Sequence, residues 1–131
     1  MSKILILDDD VNFGLLTKRR LERVGMDVQL HHESKVAMDS LLRGKFDLVI
    51  LDVKMPGLNG TDVVQLIRNT STAHVKVMFY SSSDTYELRR LAEQHQAQGF
   101  LTKTASTQEL EFRVRELLGE ARSTKKAPVR R

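Results

Sequence analysis

Two patterns of apolar positions alternate along this chain. Residues 4–7 and 48–51 are unbroken aliphatic runs, too short for helices and suited to strands buried on both faces. Residues 75–80 and 100–102 read as further strands, and residues 27–30 alternate weakly as a short one. Between these runs the spacing is helical. Residues 11–24 carry Lys18, Arg19, Glu22 and Arg23 for a wet side and stop at Gly25. From Ser34, a core stripe of Ala37, Met38, Leu41 and Leu42 ends at Gly44. Val63, Leu66 and Ile67 mark a third helix, which dissolves at Asn69-Thr-Ser-Thr. Asp84 with Glu87, and Ser106 with Glu109, have capping-box spacing. The first pair opens a helix with Leu88, Leu91 and Ala92. The second opens one with Leu110, Val114, Leu117 and Leu118, closed by Gly119.

Five strands alternating with five helices predict an α/β domain: a parallel sheet with helices on both faces, because parallel strands need crossover connections. Such sheets bind ligands beyond the carboxyl ends of their strands. Those ends carry Asp8, Asp9 and Asp10, then Asp52, then Ser81, then Lys103. The chemistry gathers on one edge.

Composition narrows this picture. At 131 residues the chain is long enough for one domain with a single core. The absence of cysteine excludes disulfide scaffolds and cysteine-ligated zinc. Residues 4–7 are too short for a signal peptide and run into three acids, and no stretch approaches a membrane span. A cytoplasmic location is expected. The net charge of +4 belongs to the end of the chain, since residues 1–119 hold 16 basic and 16 acidic side chains. Residues 120–131 read as a basic, disordered tail or linker remnant, so the folded domain is not expected to bind nucleic acid.

Carboxylates about 4 Å apart repel by roughly 4 kcal/mol per pair at an effective dielectric of 20, so such a cluster takes up a proton or a cation. All-oxygen donors suit magnesium (or manganese). With Asp8, Asp9, Asp52 and Lys103 around a divalent ion, the charge nearly closes. Asp52 is then placed as a nucleophile toward a phosphoryl group, with Ser81 and Lys103 as partners for the new oxygens. His31, His32, His74 and His95 lack ligand spacing and read as structural or solvated. Asp10 reads as a helix cap.

Four motifs occur in order: Asp8-Asp9-Asp10, the run D-L-V-I-L-D-V-K-M-P-G-L-N-G around Asp52, Ser81 ending the fourth strand, and F-L-T-K ending at Lys103. Together they resemble the receiver domain of bacterial two-component response regulators, the family of the chemotaxis response regulator. The resemblance covers residues 2–119 and includes the 22-residue interval from Ser81 to Lys103. It implies a receiver domain over 1–119 with a doubly wound, flavodoxin-like sheet of order 2-1-3-4-5. It further implies that Asp52 accepts a phosphoryl group from a sensor histidine kinase or phosphotransfer protein, without conventional enzyme turnover. Asp9, Asp52 and the Lys54 backbone carbonyl would ligate magnesium, with Asp8 acting through water. Ser81, Lys103 and Phe100 would form the switch that alters the face made by the fourth helix, fifth strand and fifth helix, where a downstream protein binds. Lys54 and Ser83 would tune the phosphoryl lifetime, and the chain would be a monomer or a phosphorylation-dependent dimer.

Departures from the family pattern are Thr104 in place of the usual proline after the lysine, Ser82 in place of a small apolar residue, and Lys54 two residues past Asp52. They keep an alternative open, a pseudo-receiver acting as a phosphorylation-independent adaptor. A haloacid-dehalogenase-type phosphatase would need an acid where Lys54 stands. A flavin phosphate would be repelled by three aspartates.

Overall fold

The structure, a computed structural model, describes residues 2–54, 60–68 and 74–120. The Pro56-Gly57 turn, the segment Asn69-Thr-Ser-Thr, the Leu66 side chain and the tail from residue 121 lie outside the described residues. Strands and helices alternate strictly: β1 (Lys3–Leu7), α1 (Val11–Arg23), β2 (Asp27–His31), α2 (Ser34–Arg43), β3 (Leu48–Leu51), α3 (Gly60–Arg68), β4 (Lys76–Ser81), α4 (Thr85–His95), β5 (Gly99–Thr102) and α5 (Thr107–Leu117). All pairings are parallel and the order is β2-β1-β3-β4-β5. The alternation predicts such a parallel sheet with helices on both faces, and its order is the flavodoxin-like, doubly wound one that the resemblance implies.

The two-residue period of the strands sorts their side chains into two cores. Leu5, Leu7, Val49, Leu51, Val77 and Phe79 face α2, α3 and α4, meeting Ala37, Leu41, Val63, Ile67 and Leu88. Ile4, Ile6, Leu48, Ile50, Met78 and Tyr80 face α1 and α5, meeting Leu21, Leu110 and Val114. All four residues of β3 are buried, as a central strand covered on both sides requires. Full burial of each such side chain contributes about 1.5–3 kcal/mol.

Strand ends run slightly past the apolar runs because backbone pairing continues through Leu7↔His31 and Ser81↔Thr102. One expected core residue is misplaced: Leu42 is 51% exposed. Ala37 and Leu41, a turn apart, both face the sheet, and Leu42 lies about 100° further round the helix. Helix starts follow the capping residues. Asp10, Asp84 and Ser106 each accept a bond from the backbone N–H three residues on, at 3.0, 2.8 and 3.1 Å. Gly25, at φ +92°, turns the chain out of α1 in a conformation that L side chains rarely adopt. Among the described residues, no helix is long and apolar enough to cross a membrane.

Candidate functional site

Register assembles the site. β1 pairs with β3 through Leu7↔Leu51, so Asp8 and Asp52 leave the sheet side by side. The Asp52 N–H donates to the Leu7 carbonyl at 3.0 Å, holding that alignment one residue beyond the strands. β4 pairs with β5 through Ser81↔Thr102, and the Lys103 N–H donates to the Ser81 carbonyl at 2.8 Å. The lysine therefore starts from the strand two places away from β3 and reaches back across the edge. Its Nζ lies 2.8 Å from Asp8 Oδ2 and 2.9 Å from Asp52 Oδ2.

The remaining carboxylate oxygens are also held. Asp8 Oδ1 accepts from the Asp10 N–H at 2.9 Å, and Asp52 Oδ1 accepts from the Lys54 N–H at 2.9 Å. Asp8 and Asp52 are buried, whereas Asp9 is exposed beside them. Burial raises the Asp8 pKa, and the hydrogen bonds from Lys103 and the Asp10 backbone only partly offset it. Burial alone would lower the Lys103 pKa. Hydrogen bonds to Asp8 and Asp52, with their charges, outweigh burial and raise it. Two buried carboxylates thus share one ammonium, leaving the pair one negative charge in excess.

One oxygen from each of Asp8, Asp9 and Asp52 lies within 4.8 Å of the others. Such a cluster of hard donors fits a magnesium-sized cation, whose octahedron water and phosphate oxygens would complete. Lys54 sits exposed on the turn after β3. Ser81 is fully buried, and its hydroxyl has no hydrogen-bond partner. Leaving such a group unpaired costs about 1–3 kcal/mol, an unusual expense at the end of a strand. Ser82 is exposed and Ser83 buried. Phe100 is half-buried against the core beneath α4, with the Arg89 guanidinium 5.9 Å from its ring centroid. No cis peptide occurs among the described residues, so Thr104 follows Lys103 through a trans bond. Lys103 reaches both carboxylates in that geometry.

Two neighbours of the site escape a reading by spacing. Phe13, on the first turn of α1, places its ring centroid 4.7 Å from Lys103 Nζ. His32 Nδ1 lies 3.0 Å from the Asp8 carbonyl oxygen. Parallel pairing of β1 with β2 puts the residue after β2 beside Asp8, a signal that could have found His32. Nothing local marks Phe13.

These features define a doubly wound α/β domain with an acidic, lysine-bridged site on the carboxyl edge of its sheet. The model of the response regulator receiver domain matches residues 4–115. The chain belongs to that family, a signalling fold of two-component systems whose members work with sensor kinases and downstream effectors. It is 36% identical over 118 residues to the transcriptional regulatory protein CpxR of Escherichia coli K12, covering 90% of this chain and 50% of that protein. With response regulator ArlR of Staphylococcus saprophyticus it shares 29% identity, over 90% of this chain and 53% of that protein. The chain spans about half the length of the curated relatives it matches. Among solved structures, the chemotaxis response regulator CheY4 of Vibrio cholerae superposes with a TM-score of 0.81 at 22% identity, covering 89% of this chain and 98% of that one. A response regulator receiver protein from Burkholderia phymatum gives 0.79 at 28% identity, covering 98% and 100%.

Proposed function

We propose that the domain is a phosphorylation-controlled switch in which Asp52 accepts a phosphoryl group from a phosphohistidine of a sensor kinase or phosphotransfer protein. The observation that carries this reading is the Lys103 ammonium bridging Asp8 and Asp52 at 2.8 and 2.9 Å beside the unpaired Ser81 hydroxyl. An Asp52 oxygen attacks phosphorus as the P–N bond breaks. The imidazole leaves neutral when its other ring nitrogen already carries a proton. Water later attacks phosphorus, restoring the carboxylate and releasing inorganic phosphate.

Phosphorylation changes the charge at Asp52 from −1 to about −2 and adds hydrogen-bond acceptors. Lys103 is already within reach of that charge. Rotation of Ser81 toward a phosphoryl oxygen would give its hydroxyl the partner it lacks. Asp8, Asp9, Asp52 and the Lys54 carbonyl are the groups we assign to magnesium, which when bound would neutralise charge on the phosphoryl oxygens. Phe100, packed beside α4, then links Ser81 to the face formed by α4, β5 and α5, where we place the downstream protein. Lys54 and Ser83, two residues past Asp52 and Ser81, are assigned to tuning the phosphoryl lifetime.

Incubation with phosphoramidate and magnesium should add one phosphoryl group by mass, at Asp52 alone, and Asp52→Asn should take none. Magnesium with beryllofluoride should shift the NMR signals of Ser81 and Phe100. Silence in both experiments would favour the phosphate-independent adaptor instead. If Lys54→Ala changes neither magnesium affinity nor dephosphorylation rate, the tuning role of that side chain is wrong.

A further inference from the structure

Lysine reaches its partners through a flexible four-carbon stem, so a lysine that must meet a reacting group needs restraint from the side. At Lys103 the two carboxylates restrain the ammonium from the edge of the sheet. The loop after it offers little more. Thr104 is exposed, and its hydroxyl lies 3.4 Å from that of Thr102.

A third contact comes from α1. The Phe13 ring centroid stands 4.7 Å from Lys103 Nζ, well inside the range in which a ring face attracts a cation. The ring is itself fixed. It packs against Tyr80, with centroids 5.5 Å apart and planes tilted by 55°, and Tyr80 is only 2% exposed. The helix start fixes its backbone too. The Phe13 N–H donates to Asp10 Oδ1 at 3.0 Å, and its carbonyl accepts from the Thr17 hydroxyl at 3.0 Å. Thr17 is buried. Core packing thereby runs through Tyr80 and Phe13 to the ammonium.

We propose that Phe13 is a positioning residue for Lys103, its ring holding the ammonium where it serves both carboxylates and meets an incoming phosphoryl group. An aliphatic side chain of similar size would fill the space but exert no such pull, leaving the lysine free to swing outward. The second half of this role rests on the phosphoacceptor reading of Asp52; the first half does not.

The test compares Phe13→Leu, which removes the ring, with Phe13→Tyr, which keeps it. In the wild type and in Phe13→Tyr, the Lys103 side-chain protons should show the upfield shift of a group near a ring, measured without phosphate or metal. Phe13→Leu should lose that shift and need about three- to tenfold more beryllofluoride for half-saturation in the presence of magnesium. Should Phe13→Leu fail to fold, a ring-fluorinated phenylalanine at position 13 keeps the shape while weakening the ring's negative face. It should weaken beryllofluoride binding in the same direction. Unchanged Lys103 shifts in Phe13→Leu would overturn the positioning role. Lost shifts with unchanged beryllofluoride affinity would overturn its link to phosphoryl binding. A wild type that shows the shift but never binds beryllofluoride would overturn the phosphoacceptor reading and that link, with the ammonium contact intact.

Discussion

The two ends of β3 carry the same residue type in opposite circumstances. Asp47, at the amino end, is exposed, and its Oδ2 accepts the Lys3 N–H at 2.9 Å. Its own N–H and carbonyl join the backbone bonding to Lys3 and Lys76. Asp52, at the carboxyl end, is buried, faces Asp8 and shares with it the one lysine that offsets their charge. A carboxylate in water with a single tie is a fastener. The same group, crowded and dry, holds electrostatic energy that a cation or a phosphoryl group can change.

The sharpest break in that comparison should come from removing each carboxylate. Asp52→Asn should reduce phosphorylation by phosphoramidate to background. Asp47→Ala should leave the rate near wild type and cost about 1 kcal/mol in urea unfolding, the value of one hydrogen bond.

The lysines of the two edges come next. Lys103→Met leaves Asp8 and Asp52 buried without their cation and should cost about 3 kcal/mol in metal-free unfolding, with millimolar magnesium restoring part of it. Lys76→Met, at the exposed amino edge, should stay within about 0.5 kcal/mol. Because the Lys103 pKa is raised in the fold, its stabilisation is complete below the unfolded value near 10.5 and is lost as pH rises through the folded one.

Asp8 shares that direction with pH, but its charged form weakens the fold where the charged lysine strengthens it. Its raised pKa means that the folded state holds the proton more tightly than the unfolded state, so the charged form weakens the fold at neutral pH. Asp8→Asn should therefore stabilise the metal-free domain at pH 7 by about 1 kcal/mol while weakening magnesium binding. That gain should shrink on acidification, once Asp8 is protonated in both states. Equal gains at pH 7 and at low pH would contradict the burial argument.

The smallest effect is expected at Ser81. Its hydroxyl is buried without a partner, so Ser81→Ala should recover part of the cost of that unpaired group and stabilise the fold by about 0.5–1 kcal/mol. Phosphorylation should persist. The shift of Phe100 signals on beryllofluoride binding should fall, because the hydroxyl that links the two is gone.

Much of this was legible in the chain. Unbroken aliphatic runs have only one way to be buried on both sides, and capping residues announce a helix that starts at the next residue. Strand and helix order, parallel pairing and the collection of Asp8, Asp9, Asp52, Ser81 and Lys103 on one edge follow from those local signals. Leu42 misled because neighbouring apolar positions on a helix differ in direction, and periodicity alone does not say how wide the buried stripe will be.

Tertiary structure decided what each charge touches. Sequence order places Lys103 at the site, but only the register of β4 with β5 and the lysine's own reach bring Nζ onto both carboxylates. The partnerless state of the Ser81 hydroxyl, the raised pKa of Asp8 and the ring of Phe13 over the ammonium depend on burial and long-range packing. Local pattern determines which residues reach the edge, because strands and helices are short-range structures. Desolvation and distance are properties of the assembled core, and they decide how those residues behave there.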